Sequence, residues 1–293
     1  MCDIVETMTT PPSTDSTEWL HVNVESDQVD AFFASPKLAA LKDEICDIRR
    51  RLWQRAYVDG NGGNISARVA ANLVLRTPTL VSKGFMKPAD LCLVDMEGNQ
   101  KAGAKKRTSE VLMHLEIYKA QPAAQACVHA HPPYATGFAV AGVTPPMSML
   151  PEMELFCGAV PLAPYSTPGG PEIGQAVAAL VGQHTTVLMG NHGAVSWGKS
   201  VEDAYFKMEI IEAYCRTALV ARQVSSQPNV ISAPQLRELF AIKQSFGMPD
   251  PREKLSDNEL DARAGWKAAS PSDAQTEALV RRITEEVVRA LRK

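Results

Sequence analysis

Strand-like runs in this sequence stand too close together to be joined by parallel crossovers. "TTVLMG" (185–190) and "AVSWG" (194–198) are three residues apart, and "NLVLRTPTL" (72–80) precedes "LCLVDMEGNQ" (91–100) by ten. A parallel pair needs a connection of a dozen or more residues, whereas antiparallel strands close through short turns. Helical patterns interleave with these runs. In "SPKLAALKDEICDIRRRLWQRAYV" (35–58) the apolar residues Leu38, Leu41, Ile45, Ile48, Leu52 and Tyr57 recur at helical spacing with charges between them. Further helices are read over "TSEVLMHLEIYKA", from Pro132 to Val140, over 171–182 and over "SVEDAYFKMEIIEAYCRTALVARQV". The pattern predicts an α/β fold with a mainly antiparallel sheet covered by helices.

Composition narrows the function classes. The 293 residues carry a net charge of -3, so no basic excess points to nucleic acid. No apolar run is long enough for a membrane span. The first residues lack a secretory pattern, and the six cysteines form no C-x-x-C pair. A cytoplasmic, reduced protein is expected. Residues 1–34 read as a disordered polar lead, 35–225 as the main domain, and 226–273 as an extension and linker. Residues 274–293, "TEALVRRITEEVVRALRK" at their core, form an amphipathic helix. Such a helix docks on its own protein or serves as a helix-in-groove recognition peptide.

"ACVHAHPPYATGF" (126–138) spends two of the six histidines one residue apart. On a strand, residues two apart share a face, so His129 and His131 present both imidazoles to one side. Pro132 and Pro133 end the strand there and leave the pair at a sheet margin. Two nitrogens alone are short of a metal's coordination set, and an isolated H-x-H is also met as packed or solvated histidines. His192, in "VLMGNHGAVSWG", sits in a turn between two strands, where a polar hairpin residue is the ordinary occupant. Glu110 falls in the first turn of a helix, where an acid complements the helix dipole. His114, four residues on, shares its helical face and reads as packed or solvated.

The order of the motifs adds what each alone lacks. "GNGGNISAR", "RTPTLVSKGFMKPADLCLVD", "RTSEVLMHLEIYKAQPAAQACVHAHPPYATGFAV", "PLAPYSTPG" and "VLMGNHGAVSWGKSVEDAYFKMEIIEAYC" occur in that order across residues 38–222. This series resembles the class II aldolase/adducin family, which includes L-fuculose-1-phosphate aldolase and L-ribulose-5-phosphate 4-epimerase. The resemblance implies a three-layer α/β/α fold with a central, mainly antiparallel sheet, and a homotetramer. It implies His129, His131 and His192 as ligands of a divalent metal, most often zinc, with manganese or cobalt as alternatives. Glu110 takes the family's acid/base position, and Asn64, Thr79, Thr108 and Ser109 those that bind substrate phosphate. The implied reaction is aldol cleavage of a sugar phosphate to dihydroxyacetone phosphate and an aldehyde through a metal-stabilised enediolate. Alternatives on the same scaffold are a dehydratase, an epimerase or a decarboxylase, and a non-catalytic adducin-like binding protein.

Two departures bear on the substrate. Leu80 stands where the family's T-P-T-G turn has glycine, and a side chain there is expected to crowd the phosphate. The proton-donor tyrosine of fuculose-phosphate aldolases would fall near Leu150, but the chain reads "MLPEMELF". Glu152 is the candidate acid/base in that stretch, as in related dehydratases. The C-terminal helix resembles the peptides that carry enzymes into bacterial microcompartments, so a shell protein is an expected partner.

Overall fold

The computed structural model describes residues 21–108, 110–248 and 250–266. Its elements in chain order begin with α1 (Val29–Phe33), α2 (Pro36–Gln54), β1 (Asn64–Arg68), β2 (Leu73–Arg76), β3 (Cys92–Asp95) and β4 (Gln100–Ala102). They continue with α3 (Val111–Ala120), β5 (Ala126–Ala130), α4 (Pro133–Ala141), α5 (Pro151–Phe156), β6 (Leu162–Ala163) and α6 (Pro171–Ala178). The last are β7 (Thr186–Met189), β8 (Gly193–Gly198), α7 (Val201–Val224), α8 (Ala233–Ser245) and α9 (Asp257–Asp261). Among the described residues, those up to Thr144 and from Val160 to Arg216 form one compact unit, and Pro145–Ala159 with those from Thr217 to Trp266 form a second.

The first unit is built on an eight-stranded sheet of order β4-β3-β2-β1-β5-β8-β7-β6. Every pair is antiparallel except β6 on β7, as the short connections require. The "GAVPLAPY" strand shrinks to Leu162–Ala163, because Pro161 and Pro164 flank it and neither can donate to a ladder. Alternation sorts the layers. Val74, Val94, Cys127, Val187 and Val195 meet Met113, Ile117, Ile173 and Val177 of α3 and α6 in one buried core. On the opposite face, Ser196 Oγ of β8 donates to the Ala204 carbonyl of α7 at 2.7 Å. The chain therefore has the expected α/β architecture, helices enclosing a mainly antiparallel sheet.

The helix read over 35–58 is α2. Pro36 opens it and Ser35 Oγ accepts from Leu38 N–H at 3.3 Å. Leu38, Ile45, Ile48 and Leu52 are buried as the periodicity predicts. It closes at Ala56, which takes a left-handed φ of +58°. Within the stretch expected as polar lead, α1 forms and Asn72 brackets the backbone of Val24 with two 3.0 Å hydrogen bonds.

The second unit holds α5, α8 and α9. Its apolar centre is Ala233, Leu236, Phe240 and Leu260. Beside it lies a buried ionic cluster. Arg252 donates to Glu154 (2.6 Å) and to Asp250 (2.8 Å), and Lys243 donates to Asp250 (2.8 Å). Glu154 also accepts from Ser148 N–H at 2.6 Å, and its pair with Arg252 ties the 145–159 segment to the C-terminal extension. The stretch from 256, expected to read as linker, is folded as far as Trp266. Ser256 and Glu259 make a reciprocal capping box on α9, a signal that polar composition conceals. The amphipathic helix expected at 274–293 lies outside the described residues. Among those described, no helix is long and apolar enough to cross a membrane, and Cys46, Cys92, Cys127, Cys157 and Cys215 are buried free thiols.

Candidate metal centre

β5 is the sheet's central strand, paired with β1 and β8, so its end lies between two neighbours. Cys127 and His129 share its α3 face. The ladder stops at Ala130, and His131 N–H donates instead to the Tyr57 carbonyl at 2.8 Å. The β7–β8 connection, Gly190–Asn191–His192, brings the third imidazole to the same margin. Asn191, not either glycine, takes the left-handed φ of +54°. Gly193 is required for a different reason: a Cβ there would lie 2.5 Å from Ala130 O and 2.8 Å from His131 Cδ2.

The three imidazoles converge. One ring nitrogen from each of His129, His131 and His192 lies within 4.8 Å of the others. Ring centroids are 4.8 Å apart for His129–His192 and 4.9 Å for His129–His131. His129 Nδ1 faces the Ala194 carbonyl at 2.9 Å. A carbonyl only accepts, so Nδ1 carries the proton and Nε2 presents a lone pair. His131 is turned the same way, with Nδ1 toward Asp59 (3.5 Å) and Nε2 3.2 Å from His129 Nε2. Burial pushes both imidazoles below their ordinary pKa, so they are neutral at pH 7.

Glu110 completes the arrangement. It stands at the residue before α3 with its side chain turned away from the helix backbone, and one carboxylate oxygen lies 3.3 Å from His192 Nε2 and 3.8 Å from His129 Nε2. Burial works to raise its pKa. The positive charge that the imidazoles carry once protonated, His129 foremost, and the His192 hydrogen bond outweigh it. The carboxyl is therefore ionised before the imidazoles lose their protons, and its pKa lies well below the usual range. The Glu110 carboxylate, the Nε2 lone pairs of His129 and His131, and a ring nitrogen of His192 thus point at one spot. Converging lone pairs repel unless a cation lies between them, so this donor set fits a divalent metal of the kind imidazole favours.

The remaining residues singled out in the sequence fall in several places. Asn64 is buried on β1, directly opposite His129 in the ladder, and its amide donates to the second Glu110 oxygen at 2.7 Å. The resemblance assigns that amide to the substrate phosphate. Thr79 is half-buried, its N–H held by the Lys106 carbonyl. Thr108 is buried and its Oγ accepts from Glu110 N–H at 3.4 Å. Ser109 lies outside the described residues. Leu80 takes a φ of +55°, so it keeps the backbone shape glycine would favour, and its side chain is 82% exposed rather than crowding the turn. Glu152 is exposed on α5, in the second unit. His114 is packed: burial, with Arg76 adding to it, lowers its pKa to about 3.

Sequence reasoning missed the supporting shell. The Ala194 carbonyl and the Asp59 carboxylate each orient an imidazole, and the Tyr57 carbonyl holds the His131 backbone N–H. None of the three carries a sequence signal, since each contact joins residues more than 60 apart and carbonyls belong to every residue.

Comparison with known proteins agrees with this geometry. The Class II Aldolase and Adducin N-terminal domain family matches residues 43–219. An L-fuculose phosphate aldolase of Methanococcus maripaludis is 36% identical over 169 residues, covering 58% of this chain and 91% of its own. A 3-oxo-tetronate 4-phosphate decarboxylase of Cupriavidus necator is 36% identical over 176 residues, 59% of this chain and 80% of its own. Among solved structures, an L-fuculose 1-phosphate aldolase superposes with a TM-score of 0.65 at 26% identity, covering 73% of this chain and 98% of that one. The Klebsiella pneumoniae protein YgbL gives 0.64 at 29%, with 69% and 98% covered. Matched over more than half its length, the chain belongs to the class II aldolase and adducin N-terminal domain family.

Proposed function

We propose that this protein is a metal-dependent lyase that cleaves a carbon–carbon bond in a sugar phosphate to give dihydroxyacetone phosphate and an aldehyde. The observation that carries the reading is the meeting of three imidazoles and the Glu110 carboxylate at one point. His129, His131 and His192 would hold the metal, with zinc first and manganese or cobalt next. A divalent cation there supplies Lewis-acid stabilisation of negative charge on a substrate oxygen, worth several kcal/mol.

The chain's own residues do the rest. Glu110 rests ionised, so it can take a proton from the carbon beside a carbonyl in the condensation direction. In cleavage it returns that proton, a role worth about 10²–10⁴-fold in rate. The Asn64 amide, which donates to this carboxylate, is by the resemblance also a donor to the substrate phosphate. Among the described residues the Thr108 hydroxyl accepts from the Glu110 N–H, which leaves its own hydrogen for an anion. As the resemblance implies, Thr79 and Ser109 join it in binding the substrate phosphate. Glu152 is a second acid/base candidate. Following the resemblance, the assembly is a homotetramer, which sedimentation tests directly.

The reading stands on two measurements. Protein purified with its metal should hold one zinc, manganese or cobalt per chain. Ketose 1-phosphates should yield dihydroxyacetone phosphate. His129→Ala should lose metal and rate together, whereas Glu110→Gln should keep metal and lose rate. Metal-free protein that gains nothing from any of the three ions would remove the proposal. A decarboxylase is the second reading, favoured by the equal 36% identity to the tetronate-phosphate enzyme. Release of CO2 from a 3-oxo acid phosphate, with no triose phosphate from any ketose phosphate, would select it.

A further inference from the structure

Arg76, the last residue of β2, is a cation buried on the α3 side of the sheet. It stands two residues beyond Val74, which packs in the core shared with α3, so the two side chains share a face. Its side chain is 1% exposed. Every hydrogen bond it makes among the described residues runs to a backbone carbonyl. Nε and Nη2 donate to Thr77 at 3.2 and 2.8 Å, and Nη1 donates to Thr108 at 3.0 Å. Among those residues it forms no ion pair. Burial pushes its pKa down to about 10, so it stays charged at pH 7. A buried guanidinium is ordinarily matched by a carboxylate. Glu110 lies near enough to favour the charge, but its oxygens face Asn64 and the imidazoles. Arg107 adds charge of the same sign, and its Nη1 reaches the same Thr108 carbonyl at 3.3 Å.

The two carbonyls belong to the turns that carry Thr79 and Thr108. A bridge between Pro78 and Arg107, and the Thr79 N–H on the Lys106 carbonyl at 3.0 Å, hold these turns side by side. Positive charge thus accumulates beneath them beyond what the one shared carboxylate offsets. We propose that Arg76 is the specificity-determining residue for the substrate's phosphate, its buried charge favouring a dianion over a monoanion on the two turns. Water screens a charge held there only weakly, and the attraction doubles when the bound anion carries two charges. This inference rests on the reading that these turns bind the substrate phosphate.

The test compares zinc-loaded, full-length wild type with Arg76→Gln, which keeps a donor without charge, and Arg76→Lys, which keeps the charge without the fork. Metal content and thermal unfolding are checked in each. Calorimetry at about pH 8 gives dissociation constants for inorganic phosphate, there mainly a dianion, and for nitrate, a monoanion; KM is read on a ketose 1-phosphate. Arg76→Gln should weaken phosphate about tenfold and nitrate about threefold, the square-root relation expected of one charge against two. KM should rise about tenfold, with a smaller fall in kcat. Arg76→Lys should bring both anions back to within about threefold of wild type. Arg76→Met, apolar and of similar length, carries the same expectation as Arg76→Gln if the latter fails to fold. Equal weakening of phosphate and nitrate, or an Arg76→Lys no better than Arg76→Gln, would reduce Arg76 to a structural role and overturn the proposal. So would phosphate binding unchanged in Arg76→Gln. Wild type that binds no phosphate would instead remove the phosphate reading of the two turns, and this inference with it.

Discussion

His114 makes the acid stability of this fold predictable. Its side chain is 1% exposed on α3, with Nδ1 on Ser66 Oγ and Nε2 without a hydrogen-bond partner among the described residues. Burial first, then the buried Arg76 guanidinium, lowers its pKa to about 3. An unfolded histidine titrates near 6.5. Below that pH the unfolded chain takes up a proton that the folded chain refuses until about pH 3, so stability falls as pH falls through this window. From pH 7 to pH 5 the loss due to this residue is about 2 kcal/mol, since one pKa unit is about 1.4 kcal/mol. His114→Leu fills the site with an apolar side chain and leaves Ser66 its bond to Tyr118. Urea unfolding of both proteins at pH 7 and pH 5 reads the effect. Wild type should lose about 2 kcal/mol more than His114→Leu over that interval. The other histidines titrate alike in both proteins and cancel. Equal losses in the two would show that His114 is protonated or hydrated in the folded state, and would refute the argument.

Further outcomes follow from particular contacts. Gly193→Ala places a methyl group 2.5 Å from Ala130 O and 2.8 Å from His131 Cδ2. It should cost about 1–3 kcal/mol and lower bound metal, read by thermal unfolding and metal analysis. Arg252→Met removes the partner of buried Glu154 and Asp250. It should destabilise the second unit by about 3–5 kcal/mol, seen as faster amide exchange in α8. Unchanged exchange there would count against the ionic cluster as its fastening. Leu80→Gly should leave substrate affinity within about threefold, because the left-handed backbone is already present and the side chain points to solvent.

Much of the site was legible before any coordinates. The spacing of His129 and His131 put both rings on one face because strand geometry has a period of two, and the structure keeps that relation beyond the end of β5. His192 and Glu110 had no local signal, since a hairpin histidine and a first-turn acid are ordinary. Only the order of five motifs brought them into view. The capping box at Ser256 was readable but hidden by polar, small surroundings. At Leu80 the sequence names a side chain but not the φ of +55° it adopts.

Taken alone, the sequence determined the class of the fold: short gaps forbid parallel crossovers, and helical periodicity supplies covering layers. It also determined the chemistry on offer, imidazoles and carboxylates in a chain without basic excess. Tertiary structure decided which of these groups meet, which way His129 and His131 are turned, and that the Asn64 amide meets the Glu110 carboxylate. Those outcomes depend on carbonyls and buried partners tens of residues away. Hydrogen-bond direction and loss of water exist only once the chain has closed around them.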